Sequence, residues 1–160
     1  MGSPRSYKMC FLSSALGGVV IAHLYALIER WIDWGRVNLF FSALPSWHGV
    51  SAYHYLFMLA FFSTVSAMPL VDPLFLGRGL SRLRALAFLM GNVVMMGLLE
   101  DMAYFYLFGD APGPSSWTSR IIGYISLGPL FIPSWYFLAL AIIVVMYYMA
   151  LRGQLTASSA

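Results

Sequence analysis

LRALAFLMGNVVMMGLLEDMAYFYLF, residues Leu83 to Phe108, is the stretch whose reading decides the fold. From Ala85 to Leu99 it contains no charged side chain. A helix rises 1.5 Å per residue, so ~20 apolar residues cross the hydrocarbon layer. This stretch is longer than that and is expected to tilt or protrude. Near its end stand two adjacent acids, Glu100 and Asp101.

The rest of the chain agrees with a membrane setting. Of 160 residues, 61% are hydrophobic and 9% charged, against about 25% charged in a soluble domain. The net charge of +3 comes from one lysine, Lys8, and scattered arginines. Such residues mark membrane sides better than they mark nucleic-acid binding. No glycine-rich phosphate loop, HExxH motif or nucleophile elbow occurs, so no nucleotide or nucleic-acid partner is expected. Cys10 is the single cysteine, which excludes an internal disulfide and a multi-cysteine metal site.

Working outward, further apolar runs lie at about 10–28, 49–71 and 135–151. The first follows Arg5 and Lys8 but lacks a cleavage-type small-residue pattern, and reads as a retained span. Residues 121–133 are apolar but short, and Pro129 and Pro133 interrupt a helix there. They read as an interfacial or re-entrant lead-in, with one long kinked final helix as the alternative. The expected fold is therefore all-α: one polytopic domain over 1–160, with four transmembrane helices and a multi-pass place in the cell membrane. Arg5, Lys8, Arg78, Arg82, Arg84 and Arg152 fall on one side, and Arg30, Arg36 and Arg120 on the other. That bias predicts both termini inside. GDAPGPSSWTSR reads as a flexible outer loop. The tryptophan-rich connection 31–47 reads as lying on the membrane surface.

With this orientation His23, His54, Glu100 and Asp101 fall at similar depth in the outer half of the bilayer. Ionisable groups inside a span face a partner or a water-filled cavity, so the four predict one polar site. Glu100 and Asp101 point about 100° apart on a helix. One is expected to face the bundle while the other pairs laterally or reaches the interface. Glu29, Asp33, His48 and Tyr104 are candidate lining residues at the rim. Asn92 is the main polar side chain of the inner half.

Two chemistries fit this set. His23, His54 and Glu100 form a two-histidine, one-carboxylate donor set suited to one copper, zinc or iron ion, in a chain expected to act alone or as a subunit of a membrane redox or oxygenase-type complex. Without a metal, Glu100 and Asp101 serve as catalytic acid–base groups on a lipid, with Tyr104, Tyr106, Trp117, Trp135 and Tyr136 as an aromatic wall. Pairing of the acids with Arg30, Arg36 or Arg120 is the structural alternative. His48 and His54, followed by Gly97, Glu100 and an aromatic run, resemble part of the small third subunit of copper membrane monooxygenases. That family's aspartate–histidine spacing is absent here, so the resemblance implies copper as a candidate metal and nothing further. The expected partners are the bilayer and either a second copy or other membrane subunits. A subunit with no chemistry of its own is the remaining reading, with the small residues Ser13 to Gly18 as a helix-contact stripe.

Overall fold

The computed structural model describes residues 4–32, 46–47, 50–70, 81–109 and 111–155. The order is α1 (Pro4–Glu29), β1 (Ser46–Trp47), β2 (Val50–Ser51), α2 (Ala52–Ala67), α3 (Arg82–Met102), α4 (Trp117–Arg120), β3 (Tyr124–Leu127), β4 (Leu130–Pro133) and α5 (Trp135–Leu155). A 3₁₀ turn, Met68–Leu70, continues α2. Three helical segments are long and apolar enough to cross a membrane: Met9–Glu29, Arg82–Leu107 and Trp135–Arg152. These match three of the four runs read from the sequence. The fourth run holds only the 16 residues of α2, preceded by β2.

α3 is the central helix, packed most extensively on α5, then on α1, then on α2. Ser81 starts it by accepting a hydrogen bond from the Arg84 amide at 3.3 Å, a normal N-cap. Small residues set the close approaches, as expected where lipid supplies no hydrophobic drive between helices. Gly18 of α1 lies against Met95 and Met96, and Gly91 of α3 against Tyr147 and Met146 of α5. Phe11 stacks on Phe88 with ring centroids 4.1 Å apart. Phe62 of α2 packs with Met96, Ala22 and Tyr25. Leu12, Leu16, Val20 and Leu24, at intervals of four on α1, are exposed and form an apolar stripe suited to lipid.

Buried polar groups around Asn92 form one network. Asn92, 0% exposed, donates through Nδ2 to Ser14 Oγ at 2.8 Å. Its Oδ1 accepts from the Tyr147 hydroxyl at 2.5 Å. Ser14 Oγ donates in turn to the Ser66 carbonyl at 3.4 Å. One amide thus links α1, α2, α3 and α5. An interhelical hydrogen bond contributes ~0.6 kcal/mol in a bilayer, but a stranded buried partner costs about 1–3 kcal/mol. Asn92→Leu is therefore expected to lower stability by about 2 kcal/mol, read by thermal unfolding in detergent. An unchanged midpoint would show that the network contributes nothing.

Two expectations need correction. The all-α reading misses β structure: two two-stranded antiparallel sheets are present. Residues 121–133 are not the start of one long kinked final helix; they form a separate segment ahead of α5. They hold a hairpin pairing Tyr124 with Pro133 and Leu127 with Leu130. Gly128 has φ of 64°, the left-handed value that a type II′ turn requires at its first central residue, and Pro129 has the fixed φ suited to the second. Of the two prolines read as helix breakers, Pro129 sits in the hairpin turn and Pro133 ends β4. The loop ahead of the hairpin is also more ordered than its composition predicts. Pro112, Thr118 and Ser119 are buried, and the Gly113 amide donates to Ser116 Oγ at 2.9 Å.

Candidate functional site: a carboxyl cluster beside a lateral cleft

Helical geometry separates the two acids at the end of α3. Glu100 is 4% exposed and Asp101 2%. Glu100 turns toward α1, where its carboxyl group meets that of Glu29 at hydrogen-bonding range. Glu29 closes α1 one turn beyond Tyr25.

Asp101 turns the other way. Its Oδ2 accepts from the Tyr136 hydroxyl at 2.5 Å and from Thr118 Oγ1 at 2.8 Å. Trp135 Nε1 donates to that same Thr118 Oγ1 at 2.7 Å. One carboxyl group therefore fastens α4 and the start of α5 to α3. Glu100 and Asp101 make no ion pair with an arginine among the described residues. Arg30 instead sits over the Tyr104 ring, 5.4 Å from its centroid. Arg120 is exposed.

Past Asp101 the helix widens into a π turn, Ala103–Leu107, closed by the Phe108 amide donating to the Ala103 carbonyl at 3.0 Å. Such turns recur beside functional sites. This one presents Tyr106, whose hydroxyl donates to the Phe131 carbonyl of β4 at 2.7 Å. The chain then folds back so tightly that a Cβ on Gly109 would stand 2.5 Å from the Tyr104 carbonyl oxygen. Only glycine fits there.

Beside the acids lies a cavity of about 370 Å³. Its floor is α3, through Val93, Val94, Gly97, Glu100 and Asp101. Its walls are Tyr55 and Met58 of α2 on one side and Leu138, Ala139 and Ile142 of α5 on the other. Trp117, Ile121 and Trp135 cover its outer end. α2 and α5 both pack on α3 but make no substantial contact with each other. The cavity is therefore a cleft between two helices, and Leu138 on its wall is exposed. Above Gly97 a Cβ would meet nothing within 4 Å, so the floor is open where the acids begin.

Of the residues singled out from sequence, Glu29, Glu100 and Asp101 come together. Tyr104 lies at the rim under Arg30. His23 is half-buried, and its Nδ1 is 2.8 Å from the Val19 carbonyl of its own helix. Six residues from Glu29, it lies about 120° round α1 from the Glu100 contact. Of His54 only the backbone, within α2, is described, while His48 and Asp33 lie outside the described residues. Among the described residues no three His, Cys, Asp or Glu side chains group to hold a metal ion. Trp117 and Trp135 of the expected aromatic wall do line the cleft. Thr118, Tyr55 and Gly97 are the residues that sequence reasoning missed. Thr118 sits in a run of small polar residues that reads as loop, and nothing in the sequence marks it. No family model, no curated protein and no solved structure matches this chain.

Proposed function

We propose that the chain is a metal-independent membrane enzyme that transfers a proton to or from a lipid-like substrate. The substrate enters the cleft sideways from the bilayer. In this reading α2, lengthened by the Met68–Leu70 turn, completes a fourth crossing. Its 16 residues rise about 24 Å. The arginine bias puts both termini inside and the carboxyl cluster in the outer half of the membrane.

The observation that carries the reading is the placement of Glu100. It is a buried carboxyl group beside an apolar cleft, with Glu29 close at its back. An apolar pocket with a few convergent polar groups is the usual form of a small-molecule site. Glu100 is the group that gives or takes the proton at the substrate, and Glu29 is its proton reserve. Asp101 is a positioning residue. Its oxygen is occupied by two hydroxyl donors, and through them it holds Trp117 and Trp135 over the cleft.

Glu100→Gln keeps the shape and removes the titrating oxygen. Loss of a positioned acid–base group costs about 10²-fold or more in rate. The test compares lipids of membranes expressing wild-type chain, Glu100→Gln or empty vector, by mass spectrometry. A lipid conversion seen with the wild type and lost with Glu100→Gln is the expected result. A conversion that survives the substitution unchanged removes Glu100 from the chemistry.

A metal site is the second reading, favoured by His23. Its Nδ1 contact with a backbone carbonyl leaves Nε2 as the acceptor, the arrangement common in metal-bound histidines. Metal analysis of protein purified without chelators, repeated on His54→Ala, decides it. Near-stoichiometric metal lost in the variant would support this reading in place of the first.

A further inference from the structure

We propose that the β3–β4 hairpin is a lipid-binding element, seated where phospholipid head groups meet acyl chains, with Arg120 at the phosphates. It is independent of the proposed proton chemistry. From Ile121 to Trp135 no side chain is charged, and no acid follows Asp110 in the sequence. Strand alternation puts Ile125, Leu127, Leu130 and Ile132 on one face, and Tyr124, Ser126 and Phe131 on the other. Leu127 is 59% exposed and Tyr124 41%, so both faces are open. A protein docked on one face would leave the other bare, whereas lipid surrounds both.

The base of the hairpin fixes its level. The Ser134 amide donates to the Gly123 carbonyl at 2.9 Å, and Ile132 packs against the cluster of Tyr136 and Ala139. The next residue after Ser134 is Trp135, which begins a segment able to cross a membrane. The ribbon therefore leaves the bundle at the mouth of the last span. A two-stranded sheet has two open edges, and open backbone groups are not tolerated in hydrocarbon. Bulk water is as unsuited to so much exposed apolar surface. The head-group boundary meets both demands, since water and ester groups bind the edges while acyl chains take the side chains. Arg120, exposed at the end of α4, makes no ion pair among the described residues and complements a phosphate there. Ile121 and Trp135, one at each foot of the hairpin, both line the cleft. Seating the hairpin in lipid thus also holds the cover of the cleft.

The experiment uses the full chain in phosphatidylcholine vesicles, with Cys10→Ser and a fluorophore on a single new cysteine. Leu127→Cys tests the hairpin. Ser115→Cys, in the exposed loop, is the water reference, and Val144→Cys, exposed on α5, is the deep one. Quenchers are aqueous iodide and lipids brominated near either end of the acyl chain. At Leu127, iodide quenching should be largely lost and the bromine nearest the head group should quench most. Arg120→Glu should shift the probe toward iodide, and Arg120→Gln should shift it less.

Iodide quenching equal to that at Ser115 would put the hairpin in water and overturn the proposal. Strongest quenching by the deep bromine, as at Val144, would overturn the boundary placement. Quenching by neither would mean that protein, a second copy included, covers the tip, and would overturn the lipid partner. No shift in either Arg120 variant would remove the arginine from the contact.

Discussion

Gly91→Leu is expected to cost about 3 kcal/mol or more and to loosen α5 from α3. A Cβ at Gly91 would stand 3.0 Å from two ring carbons of Tyr147 and 3.2 Å from Met146 Cβ. Tyr147 cannot simply swing away, because its hydroxyl is bound to Asn92 at 2.5 Å. Making room breaks the network joining four helices. A melting point lower by about 10 °C in detergent is the expected reading. Six residues along the same helix, Gly97→Ala should do the reverse. Its Cβ meets nothing within 4 Å, and alanine is favoured over glycine in a helix by about 1 kcal/mol. Equal melting points for the two variants would mean that the α3–α5 packing described above is wrong.

Asp101→Ala is expected to be nearly as damaging, by another route. It strands the hydroxyl groups of Tyr136 and Thr118, both buried, each at about 1–3 kcal/mol. The combined loss is about 3 kcal/mol. It should also free the outer cover of the cleft. Amide exchange across residues 112–134 should rise, while exchange in α1 stays slow. Asp101→Asn keeps an oxygen acceptor and should recover part of the loss. Unchanged exchange in the hairpin after Asp101→Ala would show that this carboxyl group does not hold it. Glu100→Gln, in contrast, should leave the melting point and hairpin exchange near those of the wild type.

The long apolar helices were legible because they depend on composition and length alone. Runs at 10–28, 83–108 and 135–151 begin and end within a residue or two of the segments that can cross a membrane. The same reasoning separated 121–133 from the last helix but did not give its form, since glycine and proline interrupt a helix and form a hairpin turn equally well. Strand alternation in YISL and LFIP was the signal available. For the site, the 1.5 Å ruler gave depth and no azimuth. It grouped His23 with Glu100 by level, though His23 faces about 120° away from Glu29 round the helix. Glu29 was placed at the rim as a lining residue, yet it is the partner of Glu100. Helix packing, and not spacing within one helix, decides that contact. Thr118 was not legible, because its role depends on a loop folding back onto α3.

The bond from Tyr136 to Asp101 also orders events during synthesis. Asp101 leaves the ribosome 35 residues before Tyr136 and 17 before Thr118. Until Tyr136 is made, Thr118 is the single one of these two donors that Asp101 can reach. The contact that fastens α4 and α5 to α3 therefore closes last, only after the start of α5 has been made.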